Sequence, residues 1–337
     1  MAIVKQAGVI AWLIGIAAVI GLTAWSGIDS VGHAVASVGW GIAIVAMVRA
    51  TTVSTAGTGW WLLFPRPRRP QIRTCVALRF MREAINVLLP LGQIGGDFIG
   101  AGLLALRGFP GSLAAASVIV DVLVQAATQF LFACLGLLVL IALGADETLA
   151  RLAAIGLAVA ALMLAGFYLA QRRAGQRILR WAMAPLTSDR KWLGTIDAVY
   201  ENLALIYAAR WRLVASTAVH FIGWLIGVTE ILIVFAFMGT PVSVGEALVI
   251  ESLLHAIRGA TFVIPSALGT QEGGLVLLCA VFGIPPEQAI ALSLVKRAAD
   301  LMLGVPSLLG WQMLEWERLM PSHSGGKQRV EQRSSDQ

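Results

Sequence analysis

Charged side chains are scarce in this sequence, and that scarcity excludes a soluble globular domain. Lys, Arg, Asp and Glu make up 13% of the 337 residues, whereas hydrophobic residues make up 58%. Soluble domains carry about 25% charged residues, and a soluble fold has no means of hiding this much apolar surface. The composition predicts an integral membrane protein, in which each charge inside an apolar stretch is conspicuous.

Cysteine, histidine and the motifs of common enzyme chemistry are also sparse. The three cysteines cannot complete a set of disulfides, and neither they nor the four histidines have metal-ligand spacing. The sequence contains no nucleophile–base pair and no Gly-rich nucleotide loop. We therefore expect no metal, no cofactor and no catalytic residue, and the sequence favours a function other than that of an enzyme. The residues concerned are Cys75, Cys134, Cys279, His33, His220, His255 and His323.

The excess of basic over acidic residues, 25 against 19, is concentrated in short segments. Residues 65–82 carry six arginines and no acid, and residues 171–191 carry six basic residues and one acid. By the positive-inside rule both segments are cytoplasmic. This predicts a multi-pass membrane protein with both termini in the cytoplasm. The pattern favours contact with anionic lipids and gives no support for nucleic-acid binding.

The apolar segments predict an all-α polytopic membrane protein with about six full spans. A span needs about 20 apolar residues. Two further segments, 74–108 and 246–284, begin and end on the same side and are predicted to be re-entrant helical hairpins. We expect a single membrane domain over residues 1–318, followed by a polar cytoplasmic tail, 319–337, that is disordered. The predicted spans are 8–25, 38–64, 112–142, 151–170, 213–238 and 287–314.

The two hairpin segments contain related sequences. Residues 83–110 superimpose on residues 258–285 with a constant shift of 175, and five of the 28 positions are identical, against about two expected by chance in this composition. The shift aligns Pro90 with Pro265 and Asp97 with Glu272. Loop charges orient the two copies oppositely, so the sequence predicts an inverted repeat, whose binding site lies near the middle of the membrane.

Several charged and turn-forming residues lie in or beside these copies, and we predict that they bind substrate. A charge at the centre of a membrane helix costs at least ~2.5 kcal/mol on insertion scales, so such residues pair with each other or with a polar ligand. We expect a salt bridge between Glu83 and Arg258, and an anionic lipid head group as ligand. The alternative is that these charges are structural ion pairs. The predicted residues are Arg82, Glu83, Asn86, Pro90, Gln93, Gly95, Gly96, Asp97, Arg258, Pro265, Gly269, Glu272, Lys296, Arg297 and Asp300.

Two segments resemble the transmembrane region of the lysylphosphatidylglycerol synthase family, also called flippase-like membrane proteins. They read MREAINVLLPLGQIGGDFIGAGLLALRG, residues 81–108, and IPSALGTQEGGLVLLCAVFGIPPEQAIALSLVKRAADLMLG, residues 264–304. The resemblance covers residues 1–315, and the first segment is most similar to the hopanoid-biosynthesis-associated branch. The resemblance implies a polytopic protein of the bacterial inner membrane that moves lipids or lipid-linked molecules between leaflets, with anionic or polycyclic membrane lipids as partners.

Three functions follow as hypotheses. The first is a lipid flippase or transporter. The second is a membrane-embedded enzyme that modifies a lipid, with Asp97 or Glu272 as acid or base. The third is a non-catalytic accessory protein that binds enzymes of hopanoid or lipid biosynthesis. In larger synthases that the chain resembles, an aminoacyl-transferase domain follows the membrane region, whereas this sequence ends at Gln337, so lipid aminoacylation is not expected.

Overall fold

A computed structural model describes residues 20, 28–89, 95–144, 147–173, 175–177, 179 and 190–319. Within these ranges every regular element is a helix, in agreement with the predicted all-α fold. Short 3₁₀ turns at Arg66–Arg68 and Pro265–Ala267 accompany the α-helices. The α-helices are α1 Ile28–Val38, α2 Gly41–Leu63, α3 Ile72–Leu88, α4 Gly95–Leu106, α5 Gly111–Ala142, α6 Glu147–Ala170, α7 Arg190–Ala208, α8 Arg210–Phe237, α9 Val244–Ala260, α10 Thr270–Ala280 and α11 Pro286–Leu319.

Four helices of the described chain are long and apolar enough to cross a membrane: α2, α5, α6 and α8. They correspond to four of the six predicted spans, so a multi-pass membrane protein is confirmed. Most of the predicted span 8–25 lies outside the described residues. The predicted span 287–314 lies in one helix, α11. This helix is not among the four apolar ones, because charged residues lie in its middle. The full count of six spans therefore stays a prediction.

Each predicted hairpin segment contains two helices that are short compared with a full span. The first contains α3, of 17 residues, and α4, of 12, and the second contains α9, of 17, and α10, of 11. In both segments the residue before the proline that the two copies share, Pro90 or Pro265, is extended: Leu89 has φ −100° and ψ 145°, and Ile264 has φ −78° and ψ 117°. The proline ring disfavours helical angles in the preceding residue, which explains where α3 ends and why the chain turns after Ile264.

The buried apolar residues form two clusters that lie at different ends of α2 and α5. Val45 of α2 and Phe132 of α5 belong to a cluster with α8, α9, α10 and α11. Trp60 of α2 and Leu113 of α5 belong to a cluster with α3, α4 and α7. Val45 and Trp60 are separated by about 22 Å along the helix, at 1.5 Å per residue. Each hairpin segment is therefore anchored by its own apolar core, at opposite ends of these two long helices.

Close helix packing around α2 depends on glycine. A Cβ atom added to Gly57 would lie 2.7 Å from the backbone Cα of Val76 in α3. Membrane helices approach each other closely where small residues occupy the interface. Since a backbone atom cannot rotate away, any larger side chain at Gly57 pushes α2 and α3 apart.

We predict that Gly57→Ala lowers the thermal unfolding midpoint of the protein in detergent, because overpacking of this kind costs about 1–3 kcal/mol. Gly156→Ala is the matched control, since a Cβ on Gly156 in α6 would meet no heavy atom within 4 Å. Alanine is the better helix former by up to ~1 kcal/mol, so this control should retain or raise the midpoint. Equal midpoints for the two variants would contradict the close packing of α2 against α3.

Candidate functional site

A cavity of about 280 Å³ lies where both hairpin segments meet the long helices. Its wall is formed by α2, α3, α4, α5, α8, α9 and the turn that contains Ser266. The charged side chains on the wall are the cations Arg49, Arg79 and Arg258 and the acids Glu83, Asp97, Glu230 and Glu251. In so apolar a chain, this is an unusual concentration of charge, and most of these groups are held by ion pairs.

The first set of ion pairs, which we call the Arg49 cluster, contains Arg49, Glu230, Glu251, Lys296 and Asp300 and joins α2, α8, α9 and α11. Arg49 donates two hydrogen bonds to Glu230, of 2.8 and 2.7 Å, and one of 2.9 Å to Asp300. The ammonium of Lys296 donates to Glu230 at 2.9 Å and to both oxygens of Glu251, at 2.9 and 2.8 Å. Such charge-assisted, partly bidentate bonds are the strong class of hydrogen bond.

The second set, the Asp121 cluster, contains Arg79, Arg82, Glu83, Asp97 and Asp121 and joins α3, α4 and α5. Arg82 donates to Oδ1 of Asp97 through Nε at 3.0 Å and Nη2 at 2.6 Å. Its Nη1 lies 2.9 Å from Asp121 as an ion pair, although the N–H lacks hydrogen-bond geometry. Arg79 donates to Glu83 at 3.1 Å.

Amide and imidazole side chains extend this cluster towards the cavity. Gln125 accepts a hydrogen bond from Arg79 at 2.7 Å and donates to Asp121 at 2.9 Å. Nε2 of His220 lies 3.1 Å from Oδ1 of Asp121. The Asp121 carboxylate, which is completely buried, is therefore surrounded by polar partners from α3, α5 and α8.

Small residues in α4 make room for the guanidinium of Arg82. A Cβ on Gly100 would lie 2.6 Å from Cγ and Cδ of Arg82. A Cβ on Gly96 would collide with the backbone carbonyl of Arg82. The N–H of Gly96 also donates a 2.6 Å hydrogen bond to Oδ1 of Asn86. Glycine at steps of four along α4 thus lets the helix lie directly against α3.

Glu272 occupies the corresponding place in the second hairpin segment, since it and Asp97 are each the third residue of their helices, α10 and α4. Glu272 accepts hydrogen bonds from Arg297 at 2.7 Å, from Ser293 at 2.7 Å and from the N–H of Gly269 at 2.8 Å. It is therefore bound to α11 and to the turn before α10, and it does not line the cavity.

The tips of the two hairpin segments contact each other. The hydroxyl of Ser266, on the cavity wall, donates a hydrogen bond to the backbone carbonyl of Val87 in α3. Ser266 and Ala267 have φ of 57° and 47°, in the left-handed region that is costly for residues with a Cβ. Arg297 donates to the Ser266 carbonyl at 3.3 Å. The surrounding contacts hold this strained turn in place.

The structure divides the predicted site residues into three groups. The wall of the cavity includes Glu83, Asn86, Asp97 and Arg258. Other residues lie behind the wall or form the turns, and Asp300 also borders a smaller adjoining space of about 20 Å³. Pro90 and Gln93 lie outside the described residues. The residues behind the wall or in the turns are Arg82, Gly95, Gly96, Pro265, Gly269, Glu272, Lys296, Arg297 and Asp300.

Arg297 and Asp300 lie three residues apart on α11, but Arg297 donates to Glu272 and Asp300 accepts from Arg49, because neighbouring helices present carboxylate and guanidinium groups to them. Glu83 accepts from Arg79, and it shares the cavity wall with Arg258. The expected Glu83–Arg258 bridge stays a prediction.

Other polar wall residues were not among the predicted site residues, although the sequence carries a signal for them. Gln125 and Gln129 line the cavity, and together with Asp121 behind the wall they recur every four residues along the mostly apolar helix α5, so all three share one face. Gln129 donates a 2.6 Å hydrogen bond to the carbonyl of His255 in α9. A polar stripe at helical spacing within a membrane span identifies the cavity-facing side. Among the described residues no group of His, Cys, Asp and Glu has the arrangement of a metal site.

Comparison with known proteins places the chain in a family. The family described as "Lysylphosphatidylglycerol synthase TM region" matches residues 12–310. A protein described as "UPF0104 membrane protein", from Methanothermobacter thermautotrophicus strain Delta H, is 23% identical over 233 residues, which cover 64% of this chain and 67% of that protein. No solved structure matches the chain. Since the family match covers most of the chain, this multi-pass membrane protein belongs to the lysylphosphatidylglycerol synthase transmembrane-region family.

Proposed function

We propose that this protein is a lipid flippase or transporter, in which a polar head group passes through the cavity between the hairpin segments. The observation that carries the proposal is the cavity itself, lined by charges of both signs in a chain with few charges. An ionisable residue at membrane depth is a functional candidate by default because of its cost. Family membership supports a lipid-related function.

The size of the cavity favours a head group rather than a whole lipid. Pockets for drug-sized ligands have about 300–1,000 Å³, and this cavity, of about 280 Å³, has room for a polar group without acyl chains. The chains would stay in the bilayer while the head group contacts the wall. We assign direct contact with it to the wall residues Glu83, Asn86, Asp97 and Arg258.

The packing of the two hairpin segments supports a re-entrant arrangement in an inverted repeat. Their apolar cores lie at opposite ends of α2 and α5, and their tips meet through Ser266 and Val87. Transporters with inverted repeats place substrate sites at such meeting points of broken helices. Non-helical backbone at membrane depth is tolerated where protein or a cavity surrounds it, as at the buried Ser266 turn.

Orientation and lipid context are parts of the same proposal. The arginines of residues 65–82 and the basic residues of 171–191 support a cytoplasmic location for these segments and for both termini, in the inner membrane of a bacterium. The lipid is an anionic phospholipid or a hopanoid-related lipid. An enzymatic role is less favoured, because Asp97 and Glu272, the candidate acid and base, are each bonded to a different arginine.

We predict that Glu83→Gln and Arg258→Gln each slow the transbilayer movement of fluorescent phosphatidylglycerol in proteoliposomes at least about tenfold, since a hydrogen bond to a charged group contributes ~1.5–3 kcal/mol. Movement is read from the fraction of label that a membrane-impermeant reductant reaches over time.

Glu201→Gln and Arg210→Gln are the matched controls, because both residues are exposed on α7 and α8 and neither lines the cavity. They should move the lipid at the wild-type rate. Wild-type rates in both wall variants would overturn the assignment of the cavity as the route, and absence of movement in the wild-type protein would overturn the flippase proposal.

We assign a structural role to the residues behind the wall. Substitutions there are therefore expected to lower stability. Lys296→Met leaves Glu230 and Glu251 without their shared ammonium, and removing one partner of a buried pair costs about 3–5 kcal/mol. We expect a large fall in the thermal unfolding midpoint in detergent. Adding Glu251→Gln removes one of the two buried charges that Lys296→Met leaves without the ammonium, and it should recover part of the midpoint. No recovery in the double variant would contradict the pairing described here.

A further inference from the structure

Two histidines on the cavity wall are each bonded to a buried carboxylate. Nε2 of His220 lies 3.1 Å from Oδ1 of Asp121, and Nε2 of His255 lies 3.2 Å from Oε1 of Glu251. The two carboxylates belong to different ion clusters, and each is at most 2% exposed. Both histidines line the cavity.

The bonding of the carboxylates fixes the form of each imidazole. Asp121 is paired with Arg82 at 2.9 Å and Glu251 with Lys296 at 2.8 Å, so both are ionised and only accept hydrogen bonds. Nε2 of each histidine must therefore carry a proton. In a neutral ring the lone pair is then on Nδ1, and neither Nδ1 has a hydrogen-bond partner in the described part of the chain. Each neutral ring can therefore accept a proton at Nδ1.

A proton on either histidine changes the net charge of the site, and with it the affinity of the site for an anion. Among the described residues, the cavity wall and the ion pairs behind it contain six carboxylates and five Lys or Arg cations. With both histidines neutral, the site has one excess negative charge, which opposes the entry of an anionic head group. One proton balances the site and a second makes it positive, so protonation and anion binding favour each other.

We infer that His220 and His255 are proton-binding sites through which the cavity takes up an anionic lipid head group together with protons. The inference rests on the proposed flippase function and adds its coupling ion. The proton enters at Nδ1, gives an imidazolium that the carboxylate on Nε2 stabilises, and leaves from the same nitrogen when the head group leaves.

The charged groups near each ring determine its protonation equilibrium. His220 is near Asp121, Arg79 and Arg82. His255 faces Glu251, Arg258 and Lys296, and its ring centroid lies 4.6 Å from that of Trp224. A phosphate in the cavity adds a second anion, and this shifts each ring towards the protonated form.

The first test reads protonation directly and needs no transport. The chain has four histidines, so ¹⁵N-histidine NMR of the full-length protein in nanodiscs resolves them, with His220→Gln and His255→Gln for assignment. We expect the His255 ring to change from neutral to imidazolium at a higher pH in phosphatidylglycerol nanodiscs than in phosphatidylcholine nanodiscs. His33, which is exposed on α1, reports the surface effect of the lipid charge. A shift at His255 no larger than that at His33 would overturn the inference.

The second test measures coupling in proteoliposomes with an imposed pH gradient. A gradient of one pH unit can shift the distribution of labelled phosphatidylglycerol between leaflets up to about tenfold for each co-transported proton. We expect such a shift towards the alkaline side for the wild-type protein and for His33→Gln, and its loss in His255→Gln. Glutamine retains an N–H donor for Glu251, so the Glu251–Lys296 pair stays in place. An unchanged thermal unfolding midpoint of His255→Gln would show that the lost shift reflects the missing proton site and not a folding defect.

The outcomes separate this inference from the flippase proposal. If the wild-type protein moves lipid but its distribution between leaflets does not depend on the pH gradient, proton coupling is overturned and the flippase function is retained. Absence of movement under all conditions would overturn the flippase function, and the NMR titration would then decide whether the histidines bind protons with an anionic lipid.

Discussion

The ammonium of Lys296 lies between Glu230 and Glu251, and this contact determines how the centre of the protein is assembled. Glu230 is in turn held by two bonds from Arg49. Four helices, α2, α8, α9 and α11, each contribute a charge to this buried cluster. The free-energy cost of an unpaired charge there is several kcal/mol, so the helices have to meet with the rotation and register that complete these pairs.

The same constraint explains why the hairpin segments stop where they do. Apolar packing alone would tolerate sliding along α2 and α5, since lipid tails are as apolar as the side chains. Arg82 prevents this at one end, because it is bonded to Asp97 of the neighbouring helix and paired with Asp121 of α5. At the other end Glu272 fixes α10 to α11 through Arg297. The strained turn at Ser266 persists because these pairs hold both sides of it.

Sequence patterns predicted the elements of this fold better than the partners of its charges. Hydropathy and length were sufficient for α2, α5, α6 and α8, because a membrane span needs a long apolar run whatever surrounds it. Partners depend on the rotation of helices about their axes, which no single segment specifies. Asp300 illustrates this: its nearest basic residues in sequence are on its own helix, but it accepts from Arg49, 251 residues away. His220 was missed for the same reason, since only its position opposite Asp121 makes it part of the site.

Differences in burial reconcile the structural and the functional interpretations of these charges. Asp121 and Lys296 are at most 1% exposed and lie behind the cavity wall, and their partners cannot be replaced by a ligand without unpacking the helices. Glu83 is 32% exposed and His255 is 18% exposed, and both line the cavity. A head group or a proton can therefore exchange with the partners of the outer groups while the inner pairs keep the wall in place. The inner charges make the cavity rigid, and the outer charges, held more weakly because water screens them, are the ones that can respond to what enters it.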